Sequence, residues 1–274
     1  MKKLLVLFLV LAITAGHIAA QDEDIGLSLG LEFGIENVNK ANEEERYPYI
    51  APMLVFDRSF LNNFLDIYTE LDYFFFFKKD EVDKVYPQLL YFDLSLGFNL
   101  GLTDTSTLSI ILENENEYFL IVPRIKGANN VYGIIKPGVK YSQMLHIGDI
   151  YSQIDLPIQY ISYNKDDEFW MGLDLTFGMY TDIGFGLKTT GHLSFKPEFD
   201  YYGLDVILSY ENDFIYGELE INTPKKFSDG ITATPEINFF FIGFTLYANC
   251  MFEGIGNKDS KIVISPAAGL KFSF

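Results

Sequence analysis

The chain is poor in the residues that most small folds and most active sites depend on. One cysteine, Cys250, among 274 residues rules out an internal disulfide framework. Only three histidines occur. His17 lies in the amino-terminal segment and His146 in an expected turn, so a histidine-based metal cluster is not expected. Lysine and arginine number 20 against 38 aspartate and glutamate, a net charge of −18. Phosphate backbones demand the opposite sign, which excludes nucleic acid as a partner. No zinc, phosphate-loop or dinucleotide motif is present, so no cofactor is expected. Past the amino terminus no apolar run approaches the ~20 residues that a membrane-spanning helix takes. The nearest, Ile237 to Phe252, is uncharged, but Asn238, Gly243 and Asn249 interrupt it and its residues alternate. It reads as a hairpin turning at Ile242-Gly243.

What is present begins with an export signal. Lys2 and Lys3 precede an apolar core from Leu4 to Thr14, and Ala19-Ala20 form a small-residue site ahead of Gln21. That is the layout of a secretory signal peptide over residues 1–20, leaving 21–274 as a single exported domain. The composition is rich in rings, with 26 Phe and 18 Tyr, which strands and membrane interfaces favour.

Period-two amphipathic strands are expected near 25–36, 47–57, 63–76, 88–102, 106–113, 131–142 and 149–161. Seven more follow near 168–180, 183–196, 200–210, 214–222, 230–241, 244–253 and 261–274. The segment Leu90 to Leu102 shows the design most plainly, with Tyr91, Asp93, Ser95, Gly97, Asn99 and Gly101 on its polar face. Strand 47–57 is ambiguous, because Pro48, Pro52 and apolar residues fall on both faces. Residues 114–130 read mainly as a loop, with a short strand at Tyr118 to Val122 left open. The count is fourteen, or twelve if two weak strands are loops. Gaps after even strands are short, as at Asp57 to Leu61 and Thr181-Asp182, whereas most gaps after odd strands, such as 37–46, 77–87 and 114–130, are longer and more charged.

Charge separates the two faces. The apolar face carries residues such as Leu65, Ile67, Leu71, Ile154, Leu208 and Leu246 and no charged side chain. The other face holds Glu32, Glu36, Asp66, Glu70, Asp72, Asp93, Asp155, Asp174, Asp205, Glu218, Glu220 and Glu236, with Lys136, Lys140 and Lys188. A soluble two-sheet sandwich shares this alternation. Turning fourteen strands' worth of Leu and Phe inward overfills a barrel, however, because diameter grows with strand number. Turning them outward into lipid requires closure, since no edge can be left unpaired there. The fold class expected is therefore all-β, a transmembrane antiparallel up-and-down barrel of about 14 strands.

The carboxy-terminal strand adds a further sign. Ala268, Leu270, Phe272 and Phe274 share one face and the chain ends on Phe274. The segment resembles the assembly signal of Gram-negative outer-membrane β-barrels, and the whole exported chain resembles that superfamily in its porin type. The resemblance implies an outer-membrane location in a diderm bacterium and contact with outer-membrane lipid. It also implies hand-over to the barrel-assembly machinery through Leu270, Phe272 and Phe274, and passive diffusion rather than catalysis. Nothing in the sequence sets an oligomeric state.

Inward Gly and Ser, among them Gly30, Gly34, Ser95, Gly97, Gly172, Gly178 and Gly186, leave room in the lumen. Inward carboxylates outnumber inward lysines, and burying them dry costs several kcal/mol each, so water is expected to reach them. The leading reading is a pore for cations or small polar solutes, since rings of Asp and Glu attract cations. A structural or adhesive surface barrel with a closed lumen is the second, with Arg124 and Lys126 in 114–130 as a constricting loop. A lipase is a remote third. His192 and Ser194 match the His-x-Ser of outer-membrane phospholipases, but Phe195-Lys196 follow where that family has Asn-Gly, and both residues face inward. Two smaller signals remain: Glu43 to Glu45 as a calcium-binding or merely solvated loop, and Phe74 to Phe77 as an interfacial aromatic belt.

Overall fold

The computed structural model describes residues 26–40, 43–78, 88–121, 131–162, 167–196, 200–224, 230–257 and 261–273. The expected export signal, Arg124, Lys126 and Phe274 lie outside them. Alternating side chains over runs of 10 or more residues give antiparallel strands almost throughout. They are β1 (Leu27–Lys40), β2 (Glu43–Phe60), β3 (Leu65–Phe76), β4 (Gln88–Thr103) and β5 (Ser106–Ile121). Then come β6 (Val131–Leu145), β7 (Gly148–Asp155), β8 (Ile158–Ser162), β9 (Asp167–Thr181) and β10 (Phe185–Lys196). The last five are β11 (Asp200–Glu211), β12 (Ile215–Pro224), β13 (Ile231–Phe241), β14 (Phe244–Ile255) and β15 (Val263–Ser273).

β7 and β8 are halves of one strand. The register against β6 runs unchanged through the break, from Gly138↔Asp155 to Ile134↔Gln159, and so does the register against β9. The interruption falls at Leu156-Pro157, where Pro157 lacks the N–H that the ladder needs. The backbone still bonds on both sides, with Leu156 N–H donating to Pro137 O at 2.9 Å and Gly172 N–H to Pro157 O at 3.0 Å. Fifteen segments thus make fourteen barrel strands. Each pairs with its sequence neighbours, and β15 pairs with β1 from Ser28↔Ser273 to Gly34↔Ala267, so the sheet closes and no edge remains.

Several sequence expectations need correction. The gap 37–46 is not a loop: β1 and β2 stay paired out to Lys40↔Glu43, so Glu43 to Glu45 belong to a strand and not to a calcium loop. The stretch 114–121 is strand, paired with β4 and β6, and only 122–130 remains between β5 and β6. The first tight turn sits at Leu61–Phe64 rather than at Asp57 to Leu61. Its residues Leu61, Asn62 and Asn63 have φ of 55°, 58° and 64°, a left-handed run that Asn tolerates and Leu does not favour. The turn at Ile242-Gly243 falls as expected, with Gly243 at φ 81°.

Much of the outer face is apolar and exposed. Register sets Phe98, Ile110, Val139, Ile154 and Leu175 side by side across β4, β5, β6, β7 and β9. Each is 40 to 53 % exposed. A contiguous apolar stripe of this kind marks contact with another apolar phase, and a soluble sandwich would have buried it. Leu270 and Phe272 lie on the same outer face, Phe272 with its ring 6.4 Å from that of Phe244.

Candidate functional site

The concave face is where chemistry concentrates. Since β-strand side chains alternate, register fixes which residues share a face. Glu32, Asp66, Glu70, Asp72, Asp93, Asp155, Asp174, Asp205, Glu218, Glu220, Glu236, Lys136, Lys140 and Lys188 all fall on the face opposite the apolar stripe. Glu36 pairs with Tyr47 in the same phase. Contacts across the interior identify this face as the inner one: Tyr247 O–H on β14 donates to Met53 Sδ on β2 at 3.4 Å.

On one side the carboxylates are held by neutral donors. Tyr49 O–H donates to Glu32 at 2.7 Å, Asn238 to Glu236 at 2.6 Å and Asn222 to Glu220 at 3.0 Å. Tyr216 donates to Glu218 and Tyr68 to Glu70. The sheet also sets like charges directly opposite one another, Glu218 against Glu236 and Glu70 against Asp93, which works against strand pairing. Asp72 is buried and its Oδ1 makes no hydrogen bond. Cations on this side include Lys271, opposite Gly30 on β1, and Lys78, with Nζ 4.9 Å over the Tyr47 ring.

On the other side carboxylates meet cationic or amide partners. His192 stands between two aspartates, Nδ1 2.7 Å from Asp174 and Nε2 2.7 Å from Asp205. With both aspartates ionised, hydrogen bonds from both ring nitrogens take the imidazolium form, which neutralises one of the two charges. Gln153 donates to both oxygens of Asp155 at 2.9 Å, and Lys136 lies directly opposite Glu113. Lys140 Nζ sits 4.3 Å over the Tyr151 ring. The His192 bridge was missed in the sequence, where His192 and Ser194 suggested at most a catalytic pair. A signal was there, because Asp174 and His192 are equidistant from the turn at Ile183 and so face each other across the hairpin.

The glycines do not act as expected. An added Cβ at Gly34 would lie 2.4 Å from Tyr49 Cζ, at Gly269 2.3 Å from Tyr247 Cζ, and at Gly178 2.0 Å from Tyr151 Cε1. Rings from neighbouring strands thus fill the space the glycines vacate and lie flat on the wall. Among the described strand glycines, Gly101 and Gly191 have nothing within 4 Å. The Phe run also divides. Phe74 and Phe76 face inward with Tyr47, Tyr49 and Ala51 in a buried cluster, Tyr49 and Phe74 with ring centroids 5.2 Å apart, while Phe75 and Phe77 alternate outward. The run is therefore not a simple interfacial belt.

A cavity of about 600 Å³ opens on the inner face between β6 and β15, bordered among others by Trp170, Asp174, His192, Asp205, Asn222 and Glu253. A closed antiparallel ring with an apolar belt outside and a polar interior has the architecture of a porin-type barrel. No protein-family model and no curated protein sequence matches the chain. Among solved structures it is similar to the toluene transporter TodX of P. putida, at 9 % identity and TM-score 0.45 over 93 % of this chain and 94 % of that one. It is also similar to a mutant of the Rh. blastica porin, at 7 % identity and TM-score 0.40 over 90 % and 99 %. The KdgM porin in complex with disordered oligogalacturonate gives 9 % identity and TM-score 0.40 over the same shares.

Proposed function

We propose that this barrel sits in the outer membrane of a diderm bacterium and lets small cations and polar solutes diffuse through its interior. The location is supported by the exposed apolar stripe on a closed sheet, because lipid is the phase that such a surface matches. Strands of 11 to 16 residues, as in β4, β9 and β13, reach or exceed the roughly 9–11 residues that cross a bilayer at a tilt. Export by the segment 1–20 and assembly through Leu270, Phe272 and Phe274 complete the route.

The single observation that carries the cation preference is the way Glu32, Glu218, Glu220 and Glu236 are bonded. Tyrosine and asparagine hold them in place without cancelling their charge. A negative field survives in the interior, and it concentrates counter-ions there. Purified protein in a planar bilayer should give stable current steps that grow with salt. A correctly folded barrel that stays silent would contradict the pore.

The second reading is a barrel closed from within. It is favoured by the inward cluster of Tyr47, Tyr49, Phe74 and Phe76, which takes up lumen volume beside β2 and β3. The same bilayer recording separates the two.

A further inference from the structure

The cavity that Trp170 borders differs from the rest of the interior in three ways. First, it is electrically balanced. Lys136, His192 and Lys261 line it against Asp174, Asp205 and Glu253, so with His192 as imidazolium its lining carries no net formal charge. Second, its other polar side chains are amides and hydroxyls, from Gln159, Asn222, Asn257, Thr223 and Thr232. Amides and hydroxyls both donate and accept, which matches ligands whose own groups do both. Third, it contains the only tryptophan of the chain, Trp170.

The indole lies on the wall over Gly172. A Cβ added at Gly172 would fall 2.5 Å from Trp170 Cη2, so the glycine is what lets the ring lie flat. Elsewhere the rings laid over glycines are tyrosines. Tryptophan offers the largest apolar platform of any side chain, and placing it among Asp, Asn and Gln makes a site with one greasy plane and a polar rim. At about 600 Å³ the cavity falls within the roughly 300–1,000 Å³ typical of small-molecule sites.

We propose that this cavity binds a neutral sugar, a mono- or disaccharide whose apolar ring face stacks on Trp170 while its hydroxyls bond Asp174, Asp205, Asn222 and Gln159. The inference rests on the reading of the barrel as a solute pore and names the solute class for this part of it. An acidic sugar would meet the carboxylates of the facing wall, and an organic cation would find no net charge to draw it to this cavity.

The lone tryptophan makes the test specific to the site. Protein extracted from membranes of an expressing diderm host is titrated with maltose and with cellobiose while Trp170 fluorescence is recorded, with choline chloride as the charged comparison. A saturable change with either sugar and none with choline is the expected result. By calorimetry Trp170→Ala should weaken sugar binding by about tenfold or more, and Trp170→Phe by less, with both variants keeping the heat-modifiable gel shift of a folded barrel. No change with either sugar up to its solubility would overturn the proposal, and so would a change with choline alone. A silent barrel that still binds maltose would sink only the pore, and a conducting barrel indifferent to both sugars would sink only the sugar site.

Discussion

On β12, β13 and β1 the inner carboxylates Glu218, Glu236 and Glu32 are tied to Tyr216, Asn238 and Tyr49, whereas on β9 to β11 Asp174 and Asp205 close on His192. On both sides these carboxylates find partners, as buried polar groups do, and Asp72 Oδ1 is the exception on the acidic side. The two sides differ in what the partner does to the charge. A tyrosine hydroxyl satisfies a carboxylate and leaves it negative, while an imidazolium satisfies two and cancels one. The neutral-donor side also sets Glu218 opposite Glu236. At the ~5 Å of directly opposite side chains, two unit charges repel by about 1 kcal/mol in water and roughly 3 kcal/mol at an effective dielectric of 20. That cost is small only if water fills the space between them. The acidic side therefore reads as a wet, functional surface and the His192 side as a bracing one.

The comparison can be broken from either side. The largest effect is expected at His192. Replacing it with Ala leaves Asp174 and Asp205 without their shared cation, and removing one partner of a buried charged network is costly. Discounted for its partial exposure, His192→Ala should lower stability by about 2 kcal/mol in urea unfolding of the detergent-solubilised barrel. Adding Asp174→Asn and Asp205→Asn should recover most of it. If the single variant is neutral, the bridge is not a brace.

A somewhat smaller change is expected on the acidic side, and in selectivity rather than stability. Joint replacement of Glu218, Glu220 and Glu236 by Gln should cut the cation-to-anion permeability ratio by on the order of tenfold, read from currents in asymmetric salt. Stability should hold or rise, because a repulsive pair is removed. The same triple replacement leaving selectivity untouched would place the selective region elsewhere in the barrel.

The smallest effect concerns the wall itself. Gly178→Ala pushes a Cβ to 2.0 Å from the Tyr151 ring, and overpacking of this order costs about 1 kcal/mol or more. Gly101→Ala, with nothing within 4 Å, should be silent in the same thermal gel-shift assay. Equal behaviour of the two would mean that the rings do not depend on the glycines.

These contrasts also explain what could be read from the sequence. Leu90 to Leu102 alternates between apolar and polar on every residue, so strand and outer face followed directly from period two. The count of fourteen followed for the same reason. Strand 47–57 blurred because its inner face carries Tyr47, Tyr49, Ala51 and Val55, all buried, and an apolar inner face erases the alternation. Residues 114–121 blurred for the opposite reason. Asn114, Glu115, Asn116 and Glu117 are polar on both faces, and only pairing to β4 and β6 makes them strand. The inner charges were legible one by one. Of their partners, the Asp174–His192 pairing followed from the hairpin spacing, but Asp205 and His192 meet across two strands whose register shifts between His192 and Leu193, and no spacing rule encodes that shift. The glycines misled because a small residue was taken as empty space, when Tyr49, Tyr151 and Tyr247 from adjacent strands occupy it.

The measurement that bears most directly on the account is the reversal potential of the unmodified barrel in a planar bilayer under a salt gradient. Carboxylates held by neutral donors predict a potential of the sign that marks cation preference, collapsing toward zero when Glu218, Glu220 and Glu236 are neutralised together. A potential of the anion-selective sign would contradict it, because it would mean that the interior field is set by Lys136, Lys140 and Lys188 instead.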